Sequence, residues 1–172
     1  MELNEIKIED FDGVYAEMEK NFIFSERRDY TDQKKILNNE KYKIYHLINE
    51  KENIGFITIW DLCGFYFVEH FVVYEKFRNN GYGATALSLL TEKFKNVVLE
   101  CETENFSQMA KRRYCFYQRN GFKDYQINYF QPPYRKGGEK VKLALMSYPK
   151  AIENIDGVVK EIYAKVYEYE NM

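Results

Sequence analysis

The feature that most constrains this chain is an apolar run from Phe65 to Tyr74, which leads through a turn with two glycines into an amphipathic helix. A segment that is apolar on both faces is typical of the central strand of a covered sheet. At a strand-to-helix turn, free backbone N–H groups converge near the positive end of the helix dipole, and anions bind there. Gly81 and Gly83 would let the backbone approach such an anion closely. The junction therefore predicts a central strand, a helix and an anion site at residues 78–84.

The spacing of this turn narrows the type of anion site. It reads Arg-x-x-Gly-x-Gly from Arg78 to Gly83, which matches neither the six-residue dinucleotide fingerprint nor the phosphate loop that ends in lysine. Arg78 adds a positive charge at the mouth of the turn. The alternative is that the glycines only make a tight connection between a strand and a helix.

Composition restricts the class of protein. The 172 residues are 45% hydrophobic and 30% charged, with a formal net charge of −2, which is typical of one soluble globular domain. The acidic balance disfavours nucleic-acid binding, no apolar run is long enough to cross a membrane, and the start of the chain is unlike a secretion signal. Cys63, Cys101 and Cys115 lack the paired spacing of a zinc site, and the only histidines are His46 and His70. We therefore expect a cytoplasmic protein with reduced cysteines and no metal.

Periodicity predicts alternating strands and helices. Strands are expected at residues 3–8, 42–48, 54–60, 65–74, 97–101, 125–130 and 141–147, and helices after Asp10, after Thr31, at 82–95 and up to Asn120. The strand at 97–101 is interpreted as continuously apolar, and Gly121 is placed to end the preceding helix in the left-handed conformation. After Pro149, apolar residues at heptad spacing predict a C-terminal helix over residues 150–170. We expect this helix to dock on the chain's own sheet, with a dimer contact as the alternative.

Glu69 is the first candidate for chemistry, because it lies among aromatic residues of the predicted central strand. Strict alternation places it on one face with Phe67 and Phe71, and places His70 on the opposite face as a core histidine. Loss of hydration would raise the pKa of Glu69 toward the range of a general base. The alternative is an ion pair with an arginine such as Arg113, which would lower that pKa instead.

A second segment, residues 110–122, carries aromatic residues at the end of a predicted helix. Tyr117 shares a helical face with Ala110 and Tyr114. Its hydroxyl could donate a proton to a leaving group, and the alternative is that the ring only packs in the core. The basic residues 111–113 are interpreted as a solvated helix face, from which one side chain could reach a ligand phosphate.

Together, the two segments resemble the signature segments of the GNAT family of acetyl-CoA-dependent N-acetyltransferases, including uncharacterised bacterial members. Residues 73–84 are similar to its motif A, Gln/Arg-x-x-Gly-x-Gly/Ala, and residues 110–122 to its motif B, in which a tyrosine precedes a Gly-Phe pair. The resemblance covers about residues 1–148. It implies an α/β fold with a mixed, mostly antiparallel central sheet of about seven strands flanked by helices. Residues 1–172 would form a single acetyltransferase domain with an extra C-terminal helix.

The resemblance also implies a cosubstrate, acetyl-CoA, and the residues that bind it, without a metal. The backbone of Phe71, Val72 and Val73 would bind the pantetheine arm. The pyrophosphate would bind at the turn, which consists of Arg78, Asn79, Asn80, Gly81, Tyr82, Gly83 and Ala84. Many relatives have an asparagine just after the strand that precedes motif B. This chain has Glu102 there and Asn105 further on, so either residue could contact the cosubstrate.

The catalytic residues follow from the same resemblance. Tyr117 matches the tyrosine that protonates the CoA thiolate, and Glu69 lies where members often keep a base that acts directly or through water. The implied reaction is direct transfer of the acetyl group to a primary amine of a small molecule or peptide, which would enter between residues 22–39 and 131–138. The alternatives are a non-catalytic acyl-CoA-binding regulatory module and a protein N-acetyltransferase. We expect a monomer or homodimer without nucleic-acid or membrane partners.

Overall fold

The computed structural model describes residues 1–169, and in these residues eight strands form one sheet with helices on both faces. The strands are β1 (Glu2–Glu5), β2 (Tyr42–Asn49), β3 (Glu52–Leu62), β4 (Phe65–Val73), β5 (Val97–Glu102), β6 (Lys123–Asp124), β7 (Tyr129–Gln131) and β8 (Val141–Tyr148). The helices are α1 (Phe11–Asn21), α2 (Tyr30–Lys35), α3 (Tyr82–Lys93), α4 (Gln108–Arg119) and α5 (Ile155–Lys165). The mixed α/β fold predicted from the sequence is confirmed, with eight strands where about seven were expected.

The strand order explains where the sheet opens. It runs β1-β2-β3-β4-β5-β8, and β6 and β7 pair with the outer edge of β8. Among the described strands, β4 and β5 form the single parallel pair, connected through α3. Their pairing ends at Val68 and Leu99, although both strands continue beyond these residues. Each strand therefore has an unpaired edge on the side that faces the other.

A β-bulge at Glu69 changes the direction of the side chains along β4. Thr58 of β3 pairs with His70 and Ile59 pairs with Val68, so Glu69 is an extra residue in β4. One extra residue reverses the alternation, because side chains point to opposite faces with a period of two. Glu69 and His70 consequently lie on the same face, and Phe71 turns to the other. The prediction that Phe71 shares the face of Glu69, opposite His70, is wrong for this reason.

One face of the sheet is covered by α1 and α5. The predicted apolar face of α1 is confirmed, since its buried side chains are Phe11, Val14, Tyr15 and Met18. Helix α5 buries Val158 and Ile162 in the same cluster, followed by Val166 and Tyr167. The C-terminal helix therefore docks on the chain's own sheet, as expected. It is shorter than the predicted 150–170, and residue 170 lies outside the described residues.

The opposite face is covered by α3 and α4. Helix α3 buries Ala86, Leu87 and Leu90, and α4 buries Ala110, Tyr114 and Tyr117. The Ser107 side chain accepts a hydrogen bond from the Ala110 amide and so caps the start of α4. Gly121 follows α4 with a φ of 88°, as predicted. These two helices carry the two signature segments to one side of the sheet.

The sequence prediction fails for the strand at residues 125–130. In its place are two short strands, β6 and β7, separated by residues that include Gln126 with a φ of 54°. A residue with positive φ cannot continue an extended strand, so the chain leaves the edge of β8 and returns to it. In residues 1–169, no helix combines the length and the apolar character that crossing a membrane requires.

Candidate active site

A cavity of about 540 Å³ lies where β4 and β5 diverge. Its walls are Glu69 to Val73 of β4 and Leu99 to Glu102 of β5. Because the sheet is split here, side chains reach the cavity from both faces. Tyr117 of α4 enters from one face, and Tyr134 of the loop before β8 enters from the other.

The open edge of β4 offers backbone groups to a ligand. The Tyr74 amide donates a hydrogen bond of 2.8 Å to the carbonyl of Ile54 on the β3 side. In an antiparallel pair, the polar groups of successive residues alternate between the two edges. Those of Phe71 and Val73 therefore point toward the gap, where Arg78 Nε donates to the Val73 carbonyl at 2.9 Å. Binding of an extended ligand arm beside Phe71 and Val73 stays a prediction.

The N-terminus of α3 lies beyond the end of β4 and has no side-chain cap. Gly81 is the N-cap residue, with a φ of 80° that favours glycine. Within residues 1–169, the amides of Gly81, Tyr82 and Gly83 have no hydrogen-bond partner, whereas the Ala84 amide donates to the Gly81 carbonyl. The turn before them is held by Asn80, whose side-chain amide donates to the carbonyls at 77 and 78. Three free amides at a helix N-terminus can bind an anion.

Three predicted cosubstrate residues differ in what they contact. A Cβ on Gly81 would meet no atom within 4 Å, but one on Gly83 would lie 3.2 Å from the Phe116 ring. A side chain at position 83 would therefore press on the Phe116 ring of α4. Arg78 donates to Asn21 of α1 at 2.6 Å and lines the cavity. Its guanidinium thus bridges α1 and the end of β4.

Tyr117 lies in the wall of the cavity on the α4 side of the sheet. Its ring packs against Phe116 and Phe122, and its side chain is mostly buried. The hydroxyl has no hydrogen-bond partner in residues 1–169, so it is free to donate to a bound group. Burial raises the pKa of Tyr117, and the adjacent Cys101 adds to the shift. The hydroxyl is consequently protonated at neutral pH.

Glu69 lies in the β4 wall, and its environment is that of the alternative interpretation, an ion pair with an arginine. Arg28 donates to one carboxylate oxygen, Tyr134 donates to the same oxygen at 3.0 Å, and Trp60 Nε1 donates to the other at 3.0 Å. Burial raises the pKa of Glu69, but the charge of Arg28 and these hydrogen bonds outweigh it and hold the pKa below its usual value. The predicted raised pKa is wrong, and the arginine partner is Arg28 rather than Arg113.

The structure distinguishes the two residues proposed to follow β5. Glu102 lines the cavity and forms an ion pair with Arg113 of α4. Asn105 lies in the exposed turn before α4 and does not reach the cavity. Of the two, Glu102 is therefore the one placed to contact a ligand in this cleft.

Glu100 of β5 is a candidate that the sequence analysis missed. Glu100 lines the cavity, and its carboxylate, on the α5 side of the sheet, accepts a hydrogen bond from the Tyr129 hydroxyl on one oxygen. The Tyr167 hydroxyl donates to the other oxygen at 2.6 Å. Burial raises the pKa of Glu100 to about 7, despite both hydrogen bonds. The available signal was a glutamate between Leu99 and Cys101 in a segment interpreted as continuously apolar.

His70 has the structural role expected from the sequence. The ring is buried, with Nδ1 3.1 Å from Thr58 Oγ1 and Nε2 3.3 Å from the Glu26 carbonyl. Burial lowers the pKa of His70, so the ring is neutral. Within residues 1–169, no three His, Cys, Asp or Glu side chains are grouped so as to hold a metal ion.

The split sheet, the free amides of α3 and the two-sided cavity define a transferase fold that can hold an extended anionic cosubstrate against an acceptor. The model of the acetyltransferase (GNAT) domain matches residues 40–124. A Bacteroides thetaiotaomicron protein assigned to the GNAT family is 30% identical over 99% of this chain and 100% of its own, with a TM-score of 0.93. The chain belongs to the GNAT family of acetyltransferases.

More distant structures share the fold. A variant of the spermidine N-acetyltransferase from Vibrio cholerae superposes with a TM-score of 0.64 at 11% identity, covering 86% of this chain and 94% of its own. The ribosomal-protein-S18-alanine N-acetyltransferase from Escherichia coli superposes with a TM-score of 0.62 at 16% identity, covering 89% of this chain and 97% of its own. No protein of curated function matches the sequence significantly. These likenesses establish the fold, and the acceptor has to be inferred from the cavity itself.

Proposed function

We propose that residues 1–172 form one acetyltransferase domain that transfers the acetyl group of acetyl-CoA directly to a primary amine of a small molecule or peptide. The observation that carries the proposal is the cavity between β4 and β5, which Tyr117 enters from one face and Glu100 from the other. Direct transfer requires an acid beside the leaving thiolate and a base beside the attacking amine. The split sheet provides one group on each side. We further expect a cytoplasmic monomer or homodimer.

The cosubstrate would bind along the α3 and α4 side of the split. Its pyrophosphate fits the free amides of Gly81, Tyr82 and Gly83, where the helix dipole favours negative charge. Its pantetheine arm contains amide groups, which can pair with the backbone groups of Phe71 and with the amide of Val73 on the open edge of β4. The thioester would then lie near Tyr117, the hydroxyl that has no protein partner.

Tyr117 is proposed as the general acid. When the tetrahedral intermediate collapses, the carbon–sulfur bond breaks and the thiolate requires a proton. The Tyr117 hydroxyl is protonated at neutral pH and has no hydrogen-bond partner in residues 1–169, so it can donate its proton to the thiolate. Its position on α4 supports this assignment, because the opposite wall belongs to the acceptor side.

Glu100 is proposed as the general base, acting directly or through water. A base must bind a proton near neutral pH, and the pKa of about 7 for Glu100 meets this condition. Glu69 is less suited, because it accepts hydrogen bonds from Arg28, Trp60 and Tyr134 and its pKa lies below the usual value. A catalytic role for Glu69 stays a prediction, which the Glu69→Gln variant tests.

The acceptor would enter from the side of residues 22–26 and the loop at 131–134, which both line the cavity. Besides Glu100, Glu26 and Glu102 line this space, and the basic residues Lys20, Arg78 and Arg113 line it too. Burial raises the pKa of Glu26, and the nearby charge of Glu102 adds to this effect. Glu102 is paired with Arg113, but Glu26 and Glu100 form no ion pair in residues 1–169, so these two carboxylates favour a positively charged amine beside them over an acidic acceptor. A peptide amino group meets the same condition as a small amine, so both belong in the test.

The experiment has two stages. In the first, acetyl-CoA at about a hundredfold its dissociation constant should stabilise the protein by about 2.7 kcal/mol in a thermal-shift titration. ADP serves as the diphosphate control. In the second, CoA release is followed with polyamines, amino acids, aromatic amines and short peptides. Binding without release on any acceptor would favour the non-catalytic alternative, and no binding would contradict the proposal.

A further inference from the structure

The segment after α5 reaches back to the active site from outside the region that the family model matches. The match ends at residue 124, whereas Tyr167 follows the last residue of α5, Lys165, by two positions. Its ring is mostly buried against Tyr134, with 5.1 Å between the ring centroids. Its hydroxyl donates to Glu100 Oε2 at 2.6 Å. A residue of the C-terminal extension is thus in direct contact with the proposed base.

Glu100 is held by one tyrosine on each oxygen. Tyr129 of β7 donates to Oε1 and Tyr167 donates to Oε2. Two donors on two oxygens fix the plane of the carboxylate, because rotation about the Cγ–Cδ bond would break both hydrogen bonds. Each oxygen keeps further capacity to accept a proton or a hydrogen bond. Glu100 therefore presents a fixed face to the cavity.

The segment that carries Tyr167 is itself anchored. Arg28 donates to the carbonyl of Val166, the residue before Tyr167, and also to Glu69 in the β4 bulge. Val166 is 1% exposed. One buried guanidinium thus ties the C-terminal segment to the central strand. This limits the freedom of the Tyr167 ring relative to β5.

We propose that Tyr167 and Tyr129 are positioning residues that aim the Glu100 carboxylate into the cavity and stabilise its charged form. The segment after α5 is then part of the catalytic apparatus rather than only a cover for the sheet. This inference rests on the proposed function, because it assumes that Glu100 is the base.

The sign of the expected effect follows from the groups around Glu100. Burial disfavours its charge, and so does the carboxylate of Glu69, while the two hydroxyl hydrogen bonds favour it. The other titratable groups that face it are Tyr134 of the loop and Tyr163 of α5. Removing one donor should raise the pKa of Glu100 by about one unit or more, since a hydrogen bond to a charged group is stronger than a neutral one. As the pH is lowered, the variant should then lose its activity at a higher pH than the wild type does.

The test compares Tyr167→Phe with Tyr163→Phe in the full chain. Tyr163 is a matched control, because its hydroxyl donates to the Phe130 carbonyl and not to Glu100. Two quantities are measured: the pH profile of kcat/KM with acetyl-CoA and the best amine, and the titration of Glu100 by carboxyl carbon NMR, assigned with Glu100→Gln. In Tyr167→Phe, the acid-side midpoint of the rate profile and the midpoint of the Glu100 titration should each rise by about one pH unit or more. In Tyr163→Phe, neither midpoint should change.

The outcomes separate this inference from the proposed function. An unchanged Glu100 titration in folded Tyr167→Phe overturns the inference, whatever the activity. A shifted titration with an unshifted rate profile shows that Tyr167 holds Glu100 but that Glu100 is not the base, which overturns the assignment of the base and the inference with it. If Tyr167→Phe does not fold, Tyr129→Phe removes the donor to the other oxygen, and the same two measurements decide.

Discussion

Arg28 and Glu69 form an ion pair beneath the cavity, with 9% of the arginine side chain and none of the glutamate side chain exposed. The guanidinium also donates to the carbonyl of Val166 and lies over the Tyr134 ring, 4.8 Å from its centroid. The pair therefore joins three parts of the chain that are distant in sequence: the segment after α1, the bulge of β4 and the segment after α5. Removal of this ion pair should therefore lower the free energy of unfolding more than it lowers the rate of the reaction.

We predict that Arg28→Met destabilises the protein by about 3–5 kcal/mol, because it leaves the Glu69 charge buried without a partner. The double variant Arg28→Met/Glu69→Gln should recover part of this loss, since the orphaned charge is gone. Urea unfolding of these two variants and of Glu69→Gln alone measures whether the two effects add. Arg113→Met is the control, because its ion pair with Glu102 is more exposed and should be worth at most about 1 kcal/mol. Strictly additive effects of the two substitutions would contradict the prediction.

Glu69→Gln tests whether this carboxylate acts as a base. The pKa of Glu69 lies below its usual value, so its charge stabilises the fold above its unfolded pKa and that stability is lost as the pH falls through the folded pKa. We therefore expect the variant to unfold more easily at neutral pH but to keep its turnover per folded molecule. A loss of about a hundredfold in kcat in well-folded protein would instead identify Glu69 as the base.

For Tyr117→Phe we expect kcat to fall by about a hundredfold or more, with little change in the affinity for acetyl-CoA. The ring would keep its contacts with Phe116 and Phe122, and only the proton donor would be removed. Single-turnover kinetics measure the chemical step. Tyr114→Phe removes a hydroxyl from the same helix that donates to Asp124 instead, and serves as the control. Equal rates for the wild type and Tyr117→Phe would mean that the Tyr117 ring only packs in the core and that its hydroxyl is not the proton donor.

The raised pKa of Glu100 also predicts how stability depends on pH. The folded pKa of about 7 exceeds the value near 4.3 expected in the unfolded chain, so the folded state binds more protons between these values. The contribution of this group to stability is present below the unfolded pKa and is lost as the pH rises through the folded pKa. Relative to Glu100→Gln, the wild type should lose stability between about pH 4 and pH 7 in thermal unfolding. If the stability of the two proteins depended on pH in the same way, the pKa of Glu100 would not be raised in the folded state.

The fold was largely predictable because its elements carry strong local patterns. The apolar face of α1 and the glycine after α4 each correspond to a feature of the sequence. The bulge at Glu69 carries no such signal, because β4 is apolar on both faces. In such a strand, a shift of one residue leaves the apolar pattern unchanged. Only the pairing of Thr58 and Ile59 with β4 therefore reveals the extra residue.

The site was only partly predictable, because its charged residues depend on contacts distant in sequence. Arg28 stands in a charged run, yet it is 8% exposed since it meets a carboxylate of β4 and a carbonyl after α5. Glu100 was hidden by the apolar residues around it in β5. By contrast, the turn at residues 78–84 was recognisable, because a glycine before a helix has a local backbone reason to be there.

The last prediction concerns that turn. Gly81 and Gly64 have φ angles of 80° and 85°, and a Cβ on either would meet no atom within 4 Å. Alanine should therefore introduce a similar strain of about 1–2 kcal/mol at both positions. The amide of Gly81 is one of the free amides at the start of α3, whereas Gly64 lies elsewhere. Only Gly81→Ala should therefore also shift the amides that are proposed to bind the pyrophosphate. We expect its Kd for acetyl-CoA to rise about tenfold or more, equivalent to about 1.4 kcal/mol, while Gly64→Ala binds like the wild type. Isothermal titration calorimetry on the two variants measures this difference. Equal affinities for acetyl-CoA would mean that the glycine turn shapes the start of α3 without holding the cosubstrate.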